Sequence, residues 1–475
     1  MGVTLTEVLA TSLLVGLLVV GAALLARGAG DVVMLFLLGF GLFYAFRPVL
    51  FSLGLDHPFP EELFDGPTNA DLVAKTCLGL SLFLALALVG VGVVTVSRGR
   101  GFGPFFIERE MDMRRAAIVV AVLTALSALV SAYLLARFGS VGRMISAAKY
   151  DKALAGLYIL RTFPAVGAVV ATATFIDARA RSGVSRRFTN LALTAAVLDA
   201  FFVFLWGSRS VLVIVGATLI LGLRGRGSVL GRRTATPPSG RTPKRARRQR
   251  IVVRLLLAGL LVIGVASALR VARDDLTHGE VQSVYADAGW ARQASLATNS
   301  ILFDASMLSF RDWPDQYQYR YGEDFYNGAV GVIPRAVWAG KPTAISPGKW
   351  FRQVYEPGKV NGWPMGAGAL WYLNFGWWGL VVGGLISGTA LGLVAAAQRR
   401  RPSNGFNTAV GVVVGVYVLG LGWDSETLIR AIIWLVPLWM VGRYIAPQPR
   451  RMVSASDEST DEDDEEQSVS ELSPA

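Results

Sequence analysis

Cysteine and histidine are almost absent from this chain: Cys77 is the sole cysteine and His57 and His278 are the only histidines in 475 residues. One cysteine excludes an internal disulfide and a thiolate metal cluster. Two histidines so far apart offer no metal-ligand spacing, so no metal is expected. Charge is scarce too, at 17% of residues against 53% hydrophobic, which excludes an ordinary soluble domain. The charge that exists leans one way, 46 Lys and Arg against 34 Asp and Glu, a net +12. In a soluble chain this excess would point to nucleic acid. Here the basic residues fall between apolar runs, where the positive-inside rule puts them, and no nucleic-acid partner is expected. The glycine-rich fragment RGRGFG (Arg98 to Gly103) follows no strand, so it is not a nucleotide loop.

What is present is apolar sequence in long runs. Crossing the hydrocarbon core takes about 20 mostly apolar residues, and about eleven such runs occur. They predict helices over 7–26, 32–54, 72–96, 116–136, 153–175, 189–206, 210–223, 251–270, 367–396, 406–422 and 427–445. The expected fold class is an all-α, polytopic membrane protein. The first run lacks a basic leader and continues into a second run, so it reads as a membrane helix rather than a cleaved signal. Arg98, Arg100, Arg114 and Arg115 fill one connection, Arg179, Arg181, Arg186 and Arg187 another, then 224–250, then Arg399 to Arg401. These alternate with acidic or neutral connections such as the one holding Glu61, Glu62 and Asp65. The alternation puts the N-terminus outside and the C-terminus in the cytoplasm.

Four regions follow: an N-terminal bundle over 1–272 with a basic cytoplasmic loop at 224–250, a large extracytoplasmic loop over 273–365, C-terminal membrane helices over 366–445, and an acidic tail over 446–475. Basic loop and acidic tail read as solvated linkers, the loop with an option on anionic headgroups. Gly384, Gly388 and Gly392 recur every four residues, the small-residue spacing for close helix packing in lipid.

The large loop, about ninety residues, is far longer than a connection needs and is therefore a functional candidate. Aromatics and charges interleave in SFRDWPDQYQYRYGEDFYNG (Ser309 to Gly328), followed by VIPRAVWAGKP (Val332 to Pro342). A pyranose has an apolar C–H face and a polar rim, so Trp313, Tyr317, Tyr319, Tyr321 and Trp338 are candidate glycan-stacking rings. The competing reading makes them interfacial anchors or the core of the loop itself.

Ionisable residues in apolar runs are functional candidates by default. Arg47, Arg161, Arg209 and Arg430 all fall toward the outer side, with Arg335 and Lys341 in the loop above. Together they suit a cradle for pyrophosphate, because guanidinium forks take phosphate oxygens in bidentate fashion. Snorkelling to headgroups is the alternative for each arginine, and Asp199 is open between pairing with an arginine and a chemical role.

Three stretches carry a family resemblance: LWGSRSVLVIVGATLIL (Leu205 to Leu221), VIPRAVWAGKP (Val332 to Pro342) and LWYLNFGWWGLVVGGLISG (Leu370 to Gly388). They resemble bacterial O-antigen polymerases, the oligosaccharide repeat-unit polymerases, whose helices and large extracytoplasmic loop this chain also resembles in plan. The resemblance implies an all-helical C-type glycosyltransferase in the bacterial cytoplasmic membrane. Its substrate would be a polyprenyl (undecaprenyl) pyrophosphate-linked oligosaccharide, with no metal and no cofactor. It implies functional roles for Arg209, Arg335, Lys341 and Asn374, and a flippase and a chain-length regulator as candidate partners. The basic insert and acidic tail depart from the family pattern. On this reading arginines stabilise the leaving pyrophosphate, and the acceptor's proton goes to Asp199, Asp424, Glu426 or His278; helix capping competes for Asp424. A ligase-like transfer to another acceptor and a transporter are the alternative functions.

Overall fold

A computed structural model describes residues 4–25, 31–64, 69–97, 104–144, 160, 162–205, 209–230, 301–333, 337–342, 345–358, 362–418 and 425–447. Among them every regular element is helical. Helix α1 is Leu5–Leu25; α2 (Asp31–Phe40) runs through a π turn, Gly41–Ala45, into α3 (Phe46–Ser52). Pro48 explains that wider turn, since it has no N–H to give and its ring crowds the carbonyl four residues back, at Tyr44. Next come α4 (Asn69–Val96), α5 (Met113–Phe138), α6 (Thr162–Ala180), α7 (Arg186–Leu205) and α8 (Arg209–Leu230). Asp112 caps α5 by accepting the Arg114 and Arg115 N–H groups at 2.9 and 3.3 Å, and Gly139 ends it in the left-handed region at φ 73°. Three short helices follow, α9 (Leu302–Asp312), α10 (Glu323–Val332) and α11 (Pro347–Tyr355), then α12 (Ala367–Arg400), α13 (Gly405–Val412) and α14 (Ser425–Ile445).

Seven of the described helical segments are long and apolar enough to cross a membrane: Leu5–Ala23, Val32–Ser52, Ala70–Val96, Met113–Phe138, Thr162–Ala180, Arg186–Leu205 and Ala367–Arg400. The runs expected over 210–223, 406–422 and 427–445 appear as shorter apolar helices, Val211–Leu223, Gly405–Gly415 and Ala431–Ile445. The run over 251–270, the basic loop from 231 onward and the tail from 448 lie outside the described residues. Helix α6 extends past the expected end at 175 because Asp177, fully buried, is satisfied inside the bundle by the Gly405 N–H at 2.7 Å. A polar residue there marks an internal contact rather than the exit from the membrane.

The tightest seam joins α4 to α12. A Cβ at Gly388 would stand 2.0 Å from the Ala87 carbonyl oxygen, one at Gly384 2.6 Å from that of Phe83, and one at Gly392 2.9 Å from Val94 Cβ. Only hydrogen at these positions lets the backbones come this close, which is how helices associate where lipid removes the hydrophobic drive.

The hairpins fix which ends meet. The contact of Asp177 with Gly405 brings the C-terminal ends of α6 and α12 together, and Arg399, Arg400 and Arg401 make that the basic end. Helix α7 therefore returns to the opposite end, where α8 begins at Arg209 and where α12 begins beneath α9 to α11. Helix α9 is buried nearly all round. Phe310 stacks on Tyr372 at 4.1 Å, Phe303 meets Phe51 at 6.1 Å, and Lys75 of α4 donates to the Phe310 carbonyl at 2.7 Å. Part of the expected outer loop is thus a wedge in the bundle. At about 16 Å it is too short to cross the membrane.

The Gly388 contact sets a test. Gly388→Leu should destabilise the purified protein by at least about 1–3 kcal/mol, the cost of overpacking, read as a lowered midpoint of thermal unfolding in detergent. Gly16→Leu, at a position with nothing within 4 Å of a Cβ, should leave the midpoint unchanged.

Candidate functional site

The end opposite the arginine cluster is assembled around buried carboxylates, each held by partners inside the protein. Arg47 Nε lies 2.6 Å from Asp304, its Nη1 lies 3.0 Å from Asp56, and none of the three side chains is more than 1% exposed. Arg47 also donates to the His57 carbonyl at 3.1 Å and sits over the Phe51 ring. Asp304 belongs to α9, outside the membrane-crossing helices. Burial pushes its carboxyl up to about 7, against the opposing pull of Arg47 and with the help of Asp56. The sequence suggests Arg47 for pyrophosphate; the structure gives it two carboxylates and no open face.

Asp312 is the second such group. It accepts Arg311 Nε and Nη2 at 2.6 and 3.0 Å, the Tyr355 hydroxyl at 2.5 Å and the Gln316 amide at 3.3 Å. The hydrogen bond to Asp312 raises the Arg311 guanidinium further. Burial first, then Asp312, raises the Tyr355 phenol. The third is Asp324, which accepts Arg320 Nε and Asn374 Nδ2, both at 2.9 Å. Arg320 lies 3.8 Å over the Trp350 ring, inside cation–π range.

Asn374 ties this module to α12. Its amide nitrogen also reaches the Leu370 carbonyl at 2.8 Å, its side-chain oxygen accepts the Gly322 N–H at 3.0 Å, and its backbone carbonyl accepts the Tyr321 N–H at 3.1 Å. Fully buried, it acts as a clamp and has no surface to offer a glycan. Two residues on, Gly376 breaks the helix with φ 61° and ψ −143°. A Cβ there would meet the Tyr319 hydroxyl at 2.7 Å.

The aromatic candidates divide. Trp313 is fully buried; it donates its indole N–H to the Gln318 carbonyl at 3.0 Å and packs on Tyr317, Phe351 and Trp350. It is the core of the module, as is the half-buried Tyr317 beside it. Tyr319 is half-buried and meets Tyr321 and Tyr372 edge-on. Tyr321 is 74% exposed and Trp338 39%. Tyr321 is also the sole non-glycine at positive φ among the described residues, at 45°. A side chain adopts that backbone only when its surroundings force it; here the force is the paired N–H groups of Tyr321 and Gly322 on Asn374. The Tyr-Gly step signals a turn, but nothing in sequence says that the tyrosine shares the strained conformation.

The basic candidates also separate. Lys341 donates to the carbonyls of Val330, Gly331 and Ile333 at 3.4, 3.1 and 2.6 Å, closing the C-terminus of α10. Arg209 is the first residue of α8, and Arg430 lies one turn into α14 beside Ile429, whose Cδ1 is the nearest neighbour of Gly331 in α10 at 3.4 Å. Both backbone positions are at the aromatic end, as is Glu426 in the first turn of α14. Arg161, Arg335, Asp424 and His278 lie outside the described residues. Asp199 is fully buried between α5, α6 and α7, where Thr124 donates to it at 2.8 Å and Gly167 leaves room for it. Its partner among the described residues is a hydroxyl. Among the described residues no group of acids, histidines and cysteine could hold a metal.

The chain is a polytopic membrane protein, helical in every regular element of its described residues, with a compact aromatic module at one end of its bundle. No family model, characterised protein or solved structure matches the chain.

Removing Arg47 would leave two carboxylates buried without their cation. Arg47→Ala should cost about 3–5 kcal/mol, seen as loss of monodisperse protein or a collapsed unfolding midpoint. Asp56→Asn/Asp304→Asn introduced with it should recover part of the loss. A stably folded Arg47→Ala that fails only in activity would contradict the structural assignment.

Proposed function

We propose that the chain is a C-type glycosyltransferase that polymerises a cell-surface polysaccharide at the extracytoplasmic face of a bacterial cytoplasmic membrane. It transfers a glycan from a polyprenyl pyrophosphate to a sugar hydroxyl on a second lipid-linked repeat unit. The glycosidic C1–O bond to pyrophosphate breaks, a new C1–O bond forms to the acceptor, the hydroxyl proton goes to a base and the lipid pyrophosphate departs. The observation that carries this reading is Tyr321: an exposed ring on a strained backbone, clamped by a buried asparagine, at the end of the bundle where Arg209 and Arg430 also fall. Exposed aromatic faces stack on sugar rings, and strain of this kind gathers at binding sites.

Within the proposal Tyr321, Tyr319 and Trp338 contact glycan, while Trp313, Tyr317 and Asn374 hold them in position. Arg209, Arg430, Arg161 and Arg335 receive the pyrophosphate. Charge builds on the leaving oxygens as the bond stretches, so guanidinium groups aimed there stabilise the transition state more than the ground state. Glu426, placed by its backbone a turn before Arg430 at the same end, serves as the base in this proposal. Arg47 and Lys341, engaged with protein partners, support the module.

The test uses purified protein and lipid-linked repeat units, scored as polymer per folded molecule. Arg209→Ala should lose about a hundredfold or more in turnover, the scale for deleting one transition-state donor, and Arg209→Lys should be impaired but active because it keeps charge and loses the fork. Tyr321→Gly relieves the positive φ, so it should unfold no lower than the parent and yet form less polymer. Full activity in both Arg209→Ala and Tyr321→Gly would defeat the proposal.

A further inference from the structure

The basic end of the bundle holds a cavity of about 130 Å³. It is smaller than the roughly 300–1,000 Å³ of sites for drug-sized ligands and is of a size for a single phosphate group. Its walls are prebuilt. Ile107 and Asn407 exchange hydrogen bonds, N–H to Oδ1 at 2.8 Å and Nδ2 to carbonyl at 2.9 Å. Asp112 N–H bonds the Ile445 carbonyl at 2.8 Å, and Gly442 lets Ile107 and Phe406 close in, each within about 3.0 Å of where a Cβ would be. These contacts pin the segment between α4 and α5 against α13 and α14.

Arg109, Arg401, Arg443 and Glu108 supply the charged lining, an excess of two positive charges. Glu108 pairs with Arg401. Arg109 and Arg443 have no carboxylate partner among the described residues; Arg443 lies 5.8 Å over the Trp439 ring. Two uncompensated guanidinium groups on one small cavity call for an anion with several oxygens.

Helix α14 indicates what kind of anion. Ile432, Val436, Trp439 and Met440 are all 40% or more exposed and follow each other at four- and three-residue steps on one face that leads to Arg443. From Ile432 to Arg443 that stripe covers about 16 Å, half of a hydrocarbon core about 30 Å thick. One leaflet's acyl chain would lie along it with its phosphate at the cavity. Free phosphate would have no use for the stripe.

We propose that this cavity binds the phosphate of an anionic phospholipid, held by Arg109 and Arg443 with its acyl chain along α14. It is a lipid site at the end of the bundle away from the glycan module, and it stands whether or not the proposed transferase activity does.

Native mass spectrometry of the full chain in detergent, with phosphatidylglycerol or phosphatidylcholine of the same acyl length, tests it. Phosphatidylglycerol should be retained preferentially. Arg109→Gln/Arg443→Gln should lower its bound fraction about tenfold, as expected for losing charge-assisted contacts. Arg137→Gln, at an exposed arginine at the far end of α5, should not. Glu108→Gln, which removes the one negative charge of the lining, frees Arg401 and keeps the side chain's size, should raise retention. Equal retention of both lipids, no effect of the double substitution, or displacement of phosphatidylglycerol by millimolar inorganic phosphate would each overturn the proposal.

Discussion

The near-contact of α4 and α12 backbones at Gly388 and Ala87 forms the floor on which α9 and the aromatic module are built. Lipid offers helices no hydrophobic reason to associate, so the seam has to come from close packing, and three glycines four residues apart provide it. Helix α9 then sits against both partners: a Cβ at Gly79 of α4 would stand 2.4 Å from the Phe310 ring, and Phe310 stacks on Tyr372 of α12. Without the α4–α12 seam α9 has no floor, and without α9 neither Asp304 nor Asp312 has a place.

Charge follows from the same constraint. A carboxylate or guanidinium out of water must find its counterpart within the protein, and Arg47 with Asp304 and Asp56, Arg311 with Asp312, and Arg320 with Asp324 are such pairs. Each joins two pieces of chain or stiffens the loop that presents the aromatic surface. The arrangement separates groups that hold the module from groups that face out of it, and Tyr321 is the clearest of the latter.

Much of the bundle is legible in the sequence because hydrocarbon thickness dictates run length, and the glycine spacing of α12 names its close-packed face directly. The short helices are harder to read. Eleven residues of mixed polarity, as in α9, look like loop until their burial is known, since Asp304 and Asp312 read as solvent-facing without sight of Arg47 or Arg311. Trp313 and Tyr321 lie eight residues apart in one aromatic stretch and look alike, yet one is core and the other surface. The difference comes from Asn374, more than fifty residues on, and from the helix break at Gly376, which no local pattern announces. Arg47 is hard to read for a related reason: depth in an apolar run marks an arginine as unusual but does not say whether its partner is a substrate or, as here, a neighbouring aspartate.

In the proposed transferase the clamped aromatic surface around Tyr321 engages a lipid-linked glycan. Amide hydrogen exchange of the protein in lipid nanodiscs, with and without polyprenyl-pyrophosphate-linked oligosaccharide, tests it most directly. Protection confined to the segment from Tyr317 to Tyr326 and to the first turns of α8 and α14 is the predicted result. Unchanged exchange there, with saturating substrate present, would contradict it.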